Sequence, residues 1–215
     1  MSDSETPTFD NLFRHQLHEL FRWRRDVRRF KRDLVSPEVL NEVLRVVALA
    51  PSVGLSEPWR FVVVDSPHRR EAVQASFTEA NAEALVGYWG ERRRLYAGLK
   101  LAGLAEAPVQ LGVFCDEQTD QGKGLGCQTM PEMLAYSVVA AIQLFWLFAR
   151  AHGLGVGWVS IIKPWQITKA LEVPETWKLV AYLCLGYPEK ETCDPELASA
   201  GWEQRRGMGH IVIRR

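Results

Sequence analysis

The chain has 215 residues, with 26 Lys and Arg balanced by 26 Asp and Glu. A net charge of zero argues against general affinity for nucleic acid or a membrane surface, while leaving room for a local basic site. With 47% apolar and 24% charged residues the composition excludes disorder, and the length suits one domain over 1–215 with enough chain to bury a core.

The start, "MSDSETPTFD", is acidic and polar, and residues 1–20 read as an N-terminal extension with a first helix. That helix is expected over Phe9–Trp23, because Phe9, Leu12, Phe13, Leu17, Leu20 and Phe21 recur at helical spacing. A second opens at "SPE", where Ser36 can cap, Pro37 suits the first turn and Glu38 favours its positive end. Pro51, Gly54 and Pro58 make the next stretch a loop, and "RFVVVD" reads as a buried strand. Ser66 and Pro67 repeat the helix-start signal, and residues 82–106 read as helical and polar. "VQLGVFCD" is a strand, followed by an exposed, mobile Gly-rich loop, "EQTDQGKGLGCQTMP". The uncharged run Met133–Ala149 falls short of a bilayer span of ~20 residues and contains Gln143, so a core helix is the better reading. A strand "VGWVSII", a short helix "PWQITKALEV" and a strand "WKLVAYLCLGY" follow. From Pro188 to the end (188–215) core signals are few, as in an arm that lies on something else. Alternating strands and helices give α/β or α+β, with roughly four strands. Four cysteines without a C-x-x-C pair, and no apolar signal core, predict a cytoplasmic protein with reduced thiols.

The glycine motifs carry little chemistry. "GLGVG" follows a helix and precedes a strand, the reverse of a dinucleotide-binding turn, and reads as a helix C-cap. "GKGLG" lacks the spacing of a phosphate-binding P-loop. His15, His18 and Glu19 share a helix face but lack the convergent ligands of a metal site, so no metal is expected. No G-x-S-x-G elbow supports a serine nucleophile.

"FRWRRDVRRFKR" is different. It holds seven cations, with Trp23 and Phe30 among them and one acid, Asp26. A solvated helix end explains two or three arginines, whereas Arg24, Arg25, Arg28, Arg29 and Arg32 together suit an anion. Guanidinium forks match phosphate and stack on rings, so one flat phosphorylated cofactor fits this neutral protein better than nucleic acid does.

Six segments then fall into a recognisable order. "RRDVRRF", "APSVGLSEPWRF", "YAGLKLAGLAEAP", "ARAHGLGVGWVSI" with "YLCLGYP", and "PELASAGWEQR" resemble the nitroreductase-like FMN proteins. The nearer resemblance is to their flavin-fragmenting branch, the 5,6-dimethylbenzimidazole synthases of cobalamin biosynthesis, and it covers about residues 20–206. It implies an α+β fold, a central mixed β-sheet flanked by helices, and a homodimer with FMN at the subunit interface and a swapped C-terminal arm. It implies that Arg24, Arg25, Val27 and Arg28 hold FMN with Arg205 near the phosphate, that Ser52 and Pro58 line the pocket, and that Leu99 and Lys100 belong to a lid. Asp26 and Ser160 mark the branch and are its expected catalytic pair, both against the flavin. Glu57 and Leu55 depart from the common loop pattern, which more often has glutamine and asparagine there. The implied reaction is oxygen-dependent fragmentation of reduced FMN to 5,6-dimethylbenzimidazole and a sugar phosphate, erythrose 4-phosphate. Dioxygen is then a co-substrate, and NAD(P)H supplies electrons through a separate flavin reductase. The alternatives are an NAD(P)H-dependent nitro- or quinone reductase on the same fold and a non-catalytic flavin carrier.

Overall fold

The computed structural model describes residues 6–99 and 102–215. Helix α1 (Asn11–Trp23) starts where the Asp10 carboxylate accepts the Phe13 amide at 2.7 Å. Helix α2 (Pro37–Arg45) starts on Ser36, whose hydroxyl oxygen accepts the Val39 amide. Strand β1 (Trp59–Val63) is half-buried, because it forms a sheet edge and not the buried strand its apolar run suggests. Helix α3 (Pro67–Val86) begins at Ser66 as expected. The helical stretch expected over 82–106 is broken: α3 ends at Gly87, α4 (Gly90–Gly98) follows a turn at Trp89, and α5 (Gly103–Glu106) is one turn long. Gly90, at φ 56°, supplies the left-handed residue at the first break.

Strand β2 (Val109–Asp116), helix α6 (Met133–Ala151), strand β3 (Gly155–Val159), helix α7 (Pro164–Leu171), strand β4 (Trp177–Gly186) and the short α8 (Glu196–Ser199) complete the order. The sheet runs β1-β2-β4-β3, and every neighbouring pair is antiparallel. A mixed sheet was expected; its parallel component is a single bridge, between Asp26 and Val156 beside β3.

Alternation along the strands divides the core. Leu111, Val113, Leu183 and Leu185 face α6, where Val138, Ala141, Ile142, Phe145 and Ala149 meet them. Phe114, Tyr182 and Cys184 face the other way, against Val73, Ile167 and Leu171 of α3 and α7. Within that second layer the Tyr182 hydroxyl donates to Gln110 Oε1 at 2.7 Å, and Gln110 Nε2 donates to the Leu104 carbonyl. The buried polar pair is thus satisfied.

Helix α6 is a core helix, but one stripe of it stays uncovered: Tyr136, Val139 and Gln143 are exposed. Phe9, Leu12, Phe13 and Phe21 of the α1 region are exposed as well.

Candidate functional site

After α1 the chain becomes extended at Arg24 and runs beside β3. The Val27 amide donates to the Val156 carbonyl at 3.0 Å. This approach needs Gly155 and Gly157: a Cβ on Gly157 would overlap the Val27 carbonyl oxygen, and one on Gly155 would lie 2.6 Å from Val27 Cγ2. Of the "GLGVG" glycines only Gly153, at φ 74°, serves the helix end as expected; the other two admit the arginine segment. Further on, Lys31 donates its amide to the Tyr187 carbonyl and Glu189 donates to the Arg29 carbonyl. Residues 26–31 therefore lie between β3 and the stretch after β4.

Asp26 Oδ1 accepts the Trp158 amide at 2.9 Å, while Oδ2 lies 3.6 Å from Arg28 Nε. Burial raises the carboxyl pKa above its ordinary value, against the opposing pull of the Trp158 amide, Arg28 and Arg24. With 40% of its side-chain surface open, the group still meets solvent. The guanidiniums around an acid favour its charge, yet here desolvation prevails.

The arginines are fixed by contacts that the sequence does not announce. Arg24 lies over the Trp146 ring, 4.9 Å from its centroid. Trp146 Nε1 in turn donates to the Arg25 carbonyl at 3.2 Å. Arg25 Nε donates to the Cys193 carbonyl at 2.9 Å. Arg28 is nearly buried, and its Nε has no hydrogen-bond partner among the described residues. Burial lowers the pKa of both Arg24 and Arg25, and the neighbouring charge of Arg205 lowers both further. Three guanidiniums that repel one another, a fourth with an unpartnered N–H, and one carboxylate make a donor set suited to a dianionic phosphate beside a polar ring edge.

Ser160 lies one residue beyond the end of β3, not within the strand, and is exposed. It stands two positions after Trp158, whose amide donates to Asp26. Leu99 caps α4 and is half-buried; Lys100 lies outside the described residues.

Ser52 and Pro58 are elsewhere. The Ser52 hydroxyl oxygen accepts the Glu57 amide, and the Pro58 carbonyl accepts the Asp116 amide. Their loop is tied to the start of α6, where Ser137 Oγ accepts the Val53 amide at 3.0 Å. Ser137 and Trp146 are separated by nine residues of α6, or about 14 Å along the helix. Arg24, Arg25, Asp26, Val27 and Arg28, with the charge of Arg205, thus gather near Trp146 in the later half of α6, while the loop of Ser52 and Pro58 is tied to Ser137 near its start.

The Gly-rich loop, expected to be mobile, is docked on that second half. Gln121 Nε2 donates to the Leu55 carbonyl at 2.8 Å and to Glu57 Oε2 at 3.3 Å. Gly54 and Gly122 face one another so closely that a Cβ on either would lie within 3 Å of the opposing loop's backbone. Leu55 and Glu57, the two departures from the common pattern, both have positive φ (57° and 40°) and are held there by these contacts. Sequence reasoning missed Trp146, Gln121 and the Trp158 amide; for Gln121 and Trp158 the quoted motifs contained the residue without its role.

Residues 21–187 match the nitroreductase family. The chain is 54% identical to the 5,6-dimethylbenzimidazole synthase of Rhodospirillum rubrum over 97% of its own length and 98% of that protein's. It is 43% identical to a 5,6-dimethylbenzimidazole synthase of Rhodobacter capsulatus, covering 91% and 95% of the two chains. Among solved structures, an iodotyrosine deiodinase bound to FMN and 3-iodo-L-tyrosine superposes with a TM-score of 0.72 at 23% identity, covering 93% of this chain and 97% of that one.

Proposed function

Since the chain belongs to the nitroreductase family, we propose that it carries out the flavin-fragmenting reaction of the 5,6-dimethylbenzimidazole synthases. Reduced FMN and dioxygen are the substrates; 5,6-dimethylbenzimidazole and erythrose 4-phosphate are the products. Electrons come from NAD(P)H through a separate flavin reductase.

The observation that carries this reading is the position of Asp26, an acid with a raised pKa set on the edge of β3 among guanidiniums. Bound reduced FMN supplies a ring that reacts with dioxygen. The protein's part is to grip, orient and move protons. Arg24, Arg25 and Arg205 hold the phosphate; Val27 and Arg28 run alongside the ring. The Trp158 amide fixes Asp26 Oδ1, and Oδ2, held only by the longer 3.6 Å contact with Arg28, is the oxygen that takes and returns a proton. A raised pKa brings that carboxyl nearer to working pH, which favours both directions of transfer. Ser160, exposed at the mouth of the same strand end, offers a hydroxyl that donates to or accepts from a ring nitrogen.

A homodimer completes the pocket. Ser52 and Pro58 stand on a loop tied to the start of α6, about 14 Å along the helix from Trp146, and in this reading a second copy supplies them. The exposed stripe Tyr136 and Val139, with the apolar side chains of α1, gives that copy a surface to cover. Residues 208–213, whose Met208, Ile211, Val212 and Ile213 are all exposed, fit an arm that reaches across to it.

Aerobic incubation of the protein with reduced FMN, followed by mass spectrometry of the small molecules, tests the reading. 5,6-Dimethylbenzimidazole is the expected product. Complete recovery of intact oxidised FMN overturns it in favour of a conventional FMN reductase or a carrier.

A further inference from the structure

The segment that carries Arg205 has little to hold it. Every residue from Glu203 through Gly209 is exposed, and helix α8 upstream is only four residues long. Besides the hydrogen bond that Gln204 Nε2 donates to the Ala198 carbonyl at 3.2 Å, two anchors are visible. The first is the Cys193 carbonyl, taken by Arg25 Nε. The second is Trp202. Gly201, at φ 76°, turns the chain so that the Trp202 amide donates back to the Leu197 carbonyl at 2.9 Å. The Trp202 indole then meets Tyr88 edge-on, with centroids 5.5 Å apart, and lies 6.4 Å from Tyr96. Those two tyrosines, Tyr88 just before α4 and Tyr96 within it, stack on each other at 4.7 Å, and Tyr96 is buried. The indole is the last half-buried side chain before the exposed stretch that contains Arg205.

We propose that Trp202 is the positioning residue for Arg205: its docking on the Tyr88–Tyr96 pair holds the arm so that the guanidinium three residues later faces Arg24 and Arg25. The inference rests on the reading of Arg205 as a phosphate ligand. An unanchored arm loses Arg205 to solvent, because ordering three residues of exposed backbone opposes any single charged contact. It also follows that α4, at whose end Leu99 stands, is clamped to the arm through the same rings.

Oxidised FMN titrated into the full-length protein, followed by flavin fluorescence, tests this without relying on turnover. Arg205→Ala is expected to weaken binding about tenfold or more, the range for a charge-assisted contact. Trp202→Ala and Tyr88→Ala are each expected to weaken it to a similar extent, with Trp202→Phe staying near the parent. The decisive comparison is the double variant: W202A/R205A should bind no more weakly than either single variant, since both remove one contact. Additive losses, or a W202A variant that binds as the parent does while R205A is impaired, overturn the inference. An R205A variant with unchanged affinity instead removes the phosphate role on which it rests. Thermal unfolding of W202A and W202F alongside confirms that each titrated protein is folded.

Discussion

Asp26 Oδ1 lies 2.9 Å from the Trp158 amide, so the acid of the arginine cluster is fastened to the backbone of β3 by one oxygen and turns the other towards Arg28, at 3.6 Å. Asparagine keeps an acceptor for that amide while losing the proton chemistry. Asp26→Asn is therefore expected to bind FMN within a few-fold of the parent and to form 5,6-dimethylbenzimidazole about 100-fold more slowly or less, as for other removed general acids or bases. Flavin titration and product quantitation on the same preparation check both halves.

The same substitution has a thermodynamic signature. A folded-state pKa above the ordinary value of 3.8 means that the folded chain binds this proton more tightly than the unfolded one. Stability from this group accordingly declines as pH rises from 3.8 through the raised value, and the cost is complete above it. Asp26→Asn is expected to be at least as stable as the parent at pH 7, with the difference shrinking towards pH 4. Urea midpoints at the two pH values measure it, and a variant less stable at pH 7 than at pH 4, relative to the parent, contradicts it.

Ser160 separates chemistry from folding. It is exposed, so Ser160→Gly is expected to shift stability by no more than about 0.5–1 kcal/mol. Product formation should nevertheless fall while FMN binding persists. Equal product yields from parent and variant would remove Ser160 from the reaction.

Two glycines of one motif should respond differently. A side chain on Gly157 has the Val27 carbonyl in its path, so Gly157→Ala is expected to cost about 1–3 kcal/mol or more and to weaken FMN binding by displacing Asp26. Gly153 has open space around its missing Cβ, so Gly153→Ala costs about 1 kcal/mol through its positive φ alone. Denaturant unfolding of both variants, paired with FMN titration, distinguishes them: Gly153→Ala should leave affinity intact.

On the reading that the Ser52 loop of one copy joins the arginine segment of the other, inactive copies should rescue one another. A chain with Arg28→Ala keeps a good Ser52 loop, and one with Gly54→Val keeps a good arginine segment. Statistical mixing makes half the dimers mixed, each with one intact pocket, so about a quarter of the parent activity should return. Refolded or co-expressed mixtures measure this. Activity no higher than the average of the two variants would place the whole pocket within one chain.

What the sequence discloses depends on how locally each feature is determined. Ser36 and Pro37 start a helix through atoms three residues away, and that start is legible. Arg24 to Arg28 stand in one run, so their common purpose can be read before any fold is known. The half-burial of β1 is not legible, because an apolar strand looks the same at an edge as in the middle of a sheet. Nor are the roles of Trp146 and Cys193, which act through backbone contacts with Arg25 across 121 and 168 residues of chain. The docking of the Gly122–Gly126 loop is hidden for a related reason: glycine announces conformational freedom, whereas here it also permits two backbones to touch.

The placement of residues 26–31 between Val156 and Glu189 also imposes an order in time. The arginine run leaves the ribosome early but cannot settle until the last strand has emerged, some 160 residues later. Until then a cation-rich ribbon trails from a half-made sheet. The arginine segment is thus among the final features to settle, and a truncated chain that stops short of Tyr187 has Arg24 to Arg28 yet nowhere to lay them.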